Sequence, residues 1–502
     1  MALTRSDLRP YQDIFVDKIK EGEGVILALP MGSGKTTTTL TAVSDLLDSG
    51  EVTKVLIVAP KNVAIATWPD EIEEWEHLSH LQYSLLRIDE DDPELIFDRD
   101  RAYADGKDVI GLTPDQAMHF AERRKTAIKE WMRQGLAIDD KPIHFINKEG
   151  LVWLWEFFGS GKEWPYDMLV VDEASMFKNA KMRTAKKGIT RYGVAVKSRK
   201  FYSKVVELTG TPAPKGLINL FGLAKVADGG ERLGDSRYQF EQRFFDKDYM
   251  GWNLTPKDWA EDKIMELLDD IMFALDEEDC NPDLPPRIDN PIKIRLPRKV
   301  MEEYHKFEKT LISERYDVEA VNSGVLTGKL LQFANGSMYN EDRDDVWIHD
   351  EKLQALETVI AEANGAPVLV AYSYLFDLKR IMKKYKKAEV FGQGDVRDMK
   401  RRWNNGEIDL MLAHPQSIGH GQNVQRGGNI SCWYGLTSDL ELWQQFNKRL
   451  HRSGQLHDTV WNNIIIAEGT HDEQIMPVLS ARDATQERII QAVRLRLDEL
   501  AH

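Results

Sequence analysis

Cysteine is nearly missing from this sequence: Cys280 and Cys432 are the two thiols among 502 residues. So few thiols exclude a disulfide framework and a cysteine-rich zinc module, which leaves buried apolar cores to hold the fold. Long apolar runs are missing as well. No segment approaches the ~20 uninterrupted apolar residues that a membrane helix needs. The opening stretch from Met1 to Gln12 has no apolar signal core, so a cytoplasmic setting without membrane contact is expected rather than secretion. Positive charge is in deficit: 66 Lys and Arg stand against 82 Asp and Glu, a formal net charge of −16. That excludes a histone-like or coat-like binder working through overall basicity. It does not exclude a cleft lined with Lys and Arg beneath an acidic surface, because net charge governs non-specific attraction and not the field in one groove.

What is present is ordinary globular material. Apolar residues make up 42% and charged residues 29%, so a folded chain of roughly two to four domains is expected. Short apolar runs suited to buried parallel strands occur at Val25–Leu29, Val55–Ala59, Val109–Leu112, Ile143–Ile146, Met168–Val171 and Val205–Leu208. Helical stretches such as Thr36–Leu47 and Thr113–Gln134 separate them, which predicts an α/β lobe with a parallel sheet covered on both faces. The charged segment Asp228–Asn290, closing on Leu284-Pro285-Pro286, reads as a helical insertion and linker. Strands at Val368–Ala371, Ile408–Ala413, Ile430–Tyr434 and Val460–Ile466 then predict a second α/β half. The expected division is residues 1–227 as the first lobe, 228–290 as insertion and linker, 291–482 as the second lobe with a helical protrusion over about 299–348, and 483–502 as a terminal helix.

Two strings carry chemistry. Leu29-Pro30-Met31-Gly32-Ser33-Gly34-Lys35-Thr36 follows an apolar strand and opens a helix. Glycines let backbone N–H groups approach phosphate oxygens, and the helix N-terminus adds its positive end. Lys35 then reaches the β- and γ-phosphates and the Thr36 hydroxyl holds Mg²⁺; position 29, Gly in the strict pattern, is Leu here. Met168-Leu169-Val170-Val171-Asp172-Glu173 is an apolar strand ending in two acids. Asp172 is the candidate Mg²⁺ ligand and Glu173 the acceptor of the attacking water's proton. Ligands gather at the carboxyl ends of parallel strands, so loop and acid pair can share one site.

With these placed, the chain resembles the superfamily two helicases. Leu8-Arg9-Pro10-Tyr11-Gln12 resembles their adenine-reading segment, and Val55–Pro60 with Lys61 and Asn62 their motif Ia. Asp172-Glu173-Ala174-Ser175 stands where the family has Asp-Glu-Ala-His, and Leu208-Thr209-Gly210-Thr211-Pro212 matches motif III. Ser417-Ile418-Gly419-His420-Gly421-Gln422-Asn423 resembles motif V. Gln445-Phe446-Asn447-Lys448-Arg449-Leu450-His451-Arg452-Ser453-Gly454-Gln455 resembles motif VI, with a His-Arg-x-Gly-Gln ending that points to the Swi/Snf-related branch. Phe177-Lys178-Asn179, Leu284-Pro285-Pro286 and Gly469-Thr470-His471-Asp472-Glu473 point the same way, and the compact size is similar to phage-encoded members, for which the host cytoplasm is the expected location. Ser175, Gln422 and Lys448 depart from the common His, Leu and Asp.

The resemblance implies two tandem RecA-like P-loop lobes, parallel sheets flanked by helices, with ATP and Mg²⁺ between them. Arg9, Gln12, Gly32, Ser33, Gly34, Lys35, Thr36 and Thr37 would contact ATP, and Thr36 and Asp172 the metal. Lys35, Glu173, Arg449 and Arg452 would be catalytic, and Thr209, Thr211 and Gly421 would couple hydrolysis to motion. An arginine arriving on lobe closure can contribute on the order of 10³–10⁵ in rate. Lys61, Asn147, Lys178, Asn179, Tyr372, Ser373 and Asn423 are the candidate contacts to DNA, double-stranded or forked. Phosphate contacts carry no sequence information, so tracking along DNA without sequence preference is implied. Arg123-Arg124-Lys125 reads as a solvated face, and Trp153, Trp155, Phe157 and Phe158 as core. An RNA-directed helicase and a non-catalytic scaffold clipped by ATP remain alternatives, as does a nuclease, replication or recombination partner acting in trans.

Overall fold

The computed structural model describes residues 3–61, 63–86, 140–184, 188–248, 254–310, 312–313, 318–319, 323–342, 344–418, 423–492 and 494. The expected strand Val109–Leu112, the helix Thr113–Gln134 with its Arg123-Arg124-Lys125 run, and Asn62, Gly421 and Gln422 lie outside them.

Seven parallel strands build the first lobe: β1 (Gly24–Ala28), β2 (Val55–Ala59), β3 (Tyr83–Leu86), β4 (Ile143–Asn147), β5 (Met168–Asp172), β6 (Lys204–Thr209) and β7 (Met272–Ala274). Their order across the sheet is β7-β1-β6-β5-β2-β4-β3. Every residue of β1 and β2 is buried, because side chains alternate into two cores. Val25, Leu27, Val55 and Ile57 face one core, and Ile26, Ala28, Leu56 and Val58 face the other. Helix α1 (Pro10–Glu21) opens with proline at its first position, where a missing N–H costs nothing. It lays Tyr11, Phe15 and Ile19, one helical turn apart, on the first of these cores. Helix α2 (Lys35–Ser49) covers the same face and stops at Gly50, whose φ of +75° suits a left-handed cap. Helix α3 (Trp68–Glu74) adds Trp68 and Ile72 to that core.

Six parallel strands build the second lobe: β8 (Arg287–Ile294), β9 (Val368–Ala371), β10 (Glu389–Val390), β11 (Leu410–Ala413), β12 (Ile430–Trp433) and β13 (Val460–Ala467). They run in the order β8-β13-β12-β9-β11-β10. Leu369, Met411 and Trp433 face one core, and Val370, Leu412 and Cys432 the other. The protrusion consists of helices Arg298–Thr310 and Ser323–Asn335, packed through Tyr304, Phe307, Leu330 and Phe333, and a small hairpin pairing Ser337–Tyr339 with Asp345–Trp347.

Two segments differ from the expectation. The presumed insertion and linker supplies β7 to the first sheet and the start of β8 to the second. The terminal helix is longer and begins earlier: α5 runs from Asp472 to Ala492, after the eight-residue α4 (Leu440–Asn447) of the second lobe. Ile475 and Leu479 of α5 lie in the second lobe's core, whereas Ile489 is fully buried in the first lobe's core. Beyond it, Arg494 pairs with Asp276 at 2.7 Å and Asp279 at 2.5 Å of the first lobe. No helix among the described residues is long and apolar enough to cross a membrane.

Candidate active site

The phosphate loop leaves β1 and turns into α2 through two glycines in the left-handed region, Gly32 at φ +82° and Gly34 at φ +73°. A side chain at Gly34 would sit 2.4 Å from Gln12 Nε2 and push that amide away from the loop, and the left-handed backbone itself favours glycine there. The loop is braced from behind. Tyr11 Oη donates to Ser33 O at 3.0 Å, and Gln12 Nε2 donates to Gly34 O at 3.3 Å and to Thr38 Oγ1 at 3.2 Å. Gln12 Oε1 accepts from Arg9 N at 2.9 Å, so the expected adenine reader is engaged with the loop itself. The Arg9 guanidinium donates to Cys280 O. Ser33 Oγ donates to Pro30 O at 2.8 Å, and Lys35 Nζ donates to Leu29 O at 2.9 Å and Pro30 O at 2.8 Å.

The tip of β5 faces that loop. Asp172 Oδ2 accepts from Trp68 Nε1 at 3.0 Å, and Asp172 Oδ1 from Glu173 N at 3.0 Å. Burial raises the Asp172 carboxyl above its ordinary range, with Lys35 and Trp68 opposing. Burial, Asp172 and Glu441 push Glu173 up to about 8. Burial pulls Lys35 down, against the pull of Glu173 and Asp172. A divalent cation such as Mg²⁺ takes oxygen ligands, and the half-buried Asp172 carboxyl group and the Thr36 hydroxyl line the same cleft. Thr36 and Asp172 therefore fit the expected Mg²⁺ chemistry.

The second lobe closes the opposite wall. Arg449, 2% exposed, is held by Nε donating to Gln445 O at 2.8 Å and reaches Met31 Sδ of the phosphate loop at 3.2 Å. Burial and the neighbouring Arg452 disfavour its charge, while Glu173 favours it. Arg452 lies against the loop, where a side chain at Gly32 would come within 3.2 Å of its Nε. The resulting cleft, about 200 Å³, is lined by Met31, Gly32, Gly34, Lys35, Thr36, Val63, Thr67, Glu71, Asp172, Glu173, Arg449 and Arg452. An acid pair, a lysine and two arginines from opposite halves of the chain thus converge where a polyphosphate could be gripped and attacked.

A profile of the SNF2-related domain matches residues 13–346. The chain belongs to the SNF2-related family. Protein p41 of Acyrthosiphon pisum secondary endosymbiont phage 1 is 34% identical to it over 97% of this chain and 98% of that protein. Two solved SWI2/SNF2 ATPase cores from Sulfolobus solfataricus, the first in complex with dsDNA, align over 97% and 96% of this chain and 94% and 90% of theirs. They do so at 19% and 18% identity, with TM-scores of 0.41 and 0.39.

This SNF2-related protein carries two parallel-sheet lobes, and further motifs adjoin the phosphate loop and the linker. Thr209 ends β6 and accepts from Thr211 N through Oγ1 at 3.0 Å, and its carbonyl accepts from Leu29 N at 3.1 Å. The Thr211 hydroxyl is buried with no hydrogen-bond partner among the described residues. His451 Nε2 lies 2.8 Å from Pro285 O, which ties motif VI to the Leu-Pro-Pro linker. Lys448, where the SNF2-related pattern has Asp, pairs with Glu277.

The expected DNA contacts do not stand alike. Lys61, Asn179 and Asn423 are exposed. Asn147 caps the turn after β4, accepting from Gly150 N at 2.9 Å, and Ser373 Oγ donates to Leu436 O at 3.4 Å. Tyr372 is packed in the second lobe's core and Lys178 is ion-paired with Glu441 at 3.0 Å, so both are occupied inside the protein. Trp155 is core, with Trp153 and Phe158 packed against it and Phe157 against both of those.

Sequence reasoning missed Glu71 and Trp68. Glu71 Oε2 accepts from Thr37 Oγ1 at 2.5 Å and Trp75 Nε1 at 3.0 Å; burial raises its carboxyl, and it faces Arg452. The signal was there: Trp68, Glu71 and Trp75 share one helical face, and an acid between two tryptophans needs partners.

Proposed function

We propose that this chain is an ATP-driven motor that hydrolyses ATP between its lobes and moves along DNA, double-stranded or forked, without sequence preference. The observation carrying this reading is that Lys35, Asp172 and Glu173 of one lobe and Arg449 and Arg452 of the other line one cleft. Lys35 and the loop's backbone N–H groups would hold the β- and γ-phosphates. Glu173 would take the proton of the attacking water, and the arginines would meet the charge that develops as the terminal phosphoryl leaves. Thr36 and Asp172 would hold Mg²⁺, which neutralises phosphate charge when bound. Because the arginines belong to the other lobe, turnover is tied to lobe closure, and closure can move one backbone grip relative to the other.

The test compares ATP hydrolysis with duplex DNA, forked DNA, single-stranded DNA and RNA at one fixed salt, since salt alone shifts such binding steeply. Stimulation by duplex or forked DNA supports the motor. Lys35→Ala should abolish turnover, and Glu173→Gln should trap bound ATP. Stimulation by RNA alone would replace this reading with an RNA-directed one. Equal affinity for ATP and ADP without turnover would leave a scaffold.

A further inference from the structure

The segment after the acid pair reaches across to the other lobe. Ser175 Oγ donates to Glu441 Oε1 at 2.7 Å, and Lys178 Nζ donates to Glu441 Oε2 at 3.0 Å. Both oxygens of one second-lobe carboxylate are thus held by a single 3₁₀ turn of the first lobe, Ala174–Phe177, and the residue that follows it. The contact is sheltered: Ser175 is buried, and the side chains of Lys178 and Glu441 are 18% and 15% exposed. Asp439, 3.8 Å from Lys178 Nζ, adds a second carboxylate from the same lobe.

That turn begins directly after Glu173, which occupies the left-handed region at φ +58°, ψ +56°. Such a backbone is strained for a non-glycine residue and persists where its surroundings impose it. The direction of Glu173 therefore depends on what holds the chain on either side. Before it stands Asp172, whose Oδ1 accepts from Glu173 N. After it stands Ser175, tied to Glu441. Glu441 lies in the first turn of α4, and Gln445 of the same helix donates to its Oε1 at 3.4 Å. One short helix therefore carries the carboxylate that grips the turn behind Glu173 and, just past its end, Arg449.

We propose that Glu441 is a positioning residue for hydrolysis: by binding Ser175 and Lys178 it aims Glu173 into the cleft when the second lobe has delivered its arginines. The proposal rests on the hydrolytic reading above.

The experiment measures kcat and KM for ATP with duplex DNA present, on the full chain, for the parent, Ser175→Ala, Glu441→Gln, Glu441→Ala and the double variant Ser175→Ala/Glu441→Gln. Glu441→Ala is expected to lower kcat by about tenfold to a hundredfold, as small misplacements of a reacting group do, with KM for ATP within about twofold of the parent. Each milder single variant is expected to lose part of that. The double should fall no further than its weaker single, because both remove one interaction. Parent-like kcat in Glu441→Gln and Ser175→Ala overturns the proposal. So do additive losses, or losses matched by a rise in KM and a fall in melting temperature. Glu441→Gln keeps the side chain's shape and carries the test if the alanine variant does not fold. A parent that hydrolyses no ATP with any nucleic acid refutes the motor reading and this proposal with it; an active parent with unaffected variants refutes the proposal alone.

Discussion

The two lobes bring opposite charges to one cleft. The first contributes Asp172, Glu173 and Glu71 around a single Lys35; the second contributes Arg449 and Arg452 and, among the described lining residues, no carboxylate. The first lobe's groups stand on a strand tip, a glycine loop and a helix, all fixed within one sheet and its cover. The second lobe's groups follow the end of α4 and reach the cleft only through the docking of one lobe on the other. Neither half alone presents a balanced site. Charge that is costly to bury on one side is met from the other, so the division would make the proposed hydrolysis conditional on closure.

Removing one wall's charge should have the largest effect. Arg452→Ala should leave the first lobe's wall intact and still reduce DNA-stimulated kcat by on the order of 10³, measured against Lys35→Ala as the opposite wall's control. A loss confined to KM would mean that this arginine binds ATP without acting on the transition state. Next in size is the helix that joins the lobes. Ile489→Ala removes a fully buried side chain from the first lobe's core and should cost about 3 kcal/mol, read from denaturant unfolding. Loss of a matching amount from the second lobe's unfolding would show that the two lobes unfold together. The smallest effect sharpens the contrast within the second lobe. Burial, aided by Arg380, holds His349 down to about 4, so the folded chain resists taking a proton that the unfolded chain accepts near pH 6.5. Stability is therefore full above the unfolded value and is lost as pH falls toward the folded one, by about 2 kcal/mol between pH 7.5 and 5. His349→Gln should flatten that slope in melting curves.

The strings read most directly in the sequence are those whose meaning is local. Gly32-Ser33-Gly34-Lys35-Thr36 and the Asp172-Glu173 strand tip sit next to strands buried on both faces, and such strands are unbroken apolar runs. The start of β8 falls within the expected linker because an edge strand lacks an unbroken apolar run. Five of the eight residues Arg287–Ile294 are polar or proline, most are exposed, and Pro291 is tolerable only where no neighbour asks for its N–H. β7, with three residues, is too short for any period to register. Lys178 and Tyr372 look like DNA contacts in a string of letters, yet one has Glu441 as a partner 263 residues away and the other lies in a core. Glu441 itself has no local mark at all, since its importance comes from a turn in the other lobe.

The polypeptide crosses from lobe to lobe twice, once at Leu284-Pro285-Pro286 and once along α5 between Leu479 and Gln486, whose Nε2 reaches Gly210 O at 3.5 Å. A body tethered at two separated points keeps one easy freedom, rotation about the line through them, while sliding and pulling apart are resisted at both. Here one tether is stiffened by proline and by the His451–Pro285 contact, the other by helical hydrogen bonds. For the motor proposed above, two such tethers favour a swing like that of a door on two hinges over a separation of the lobes.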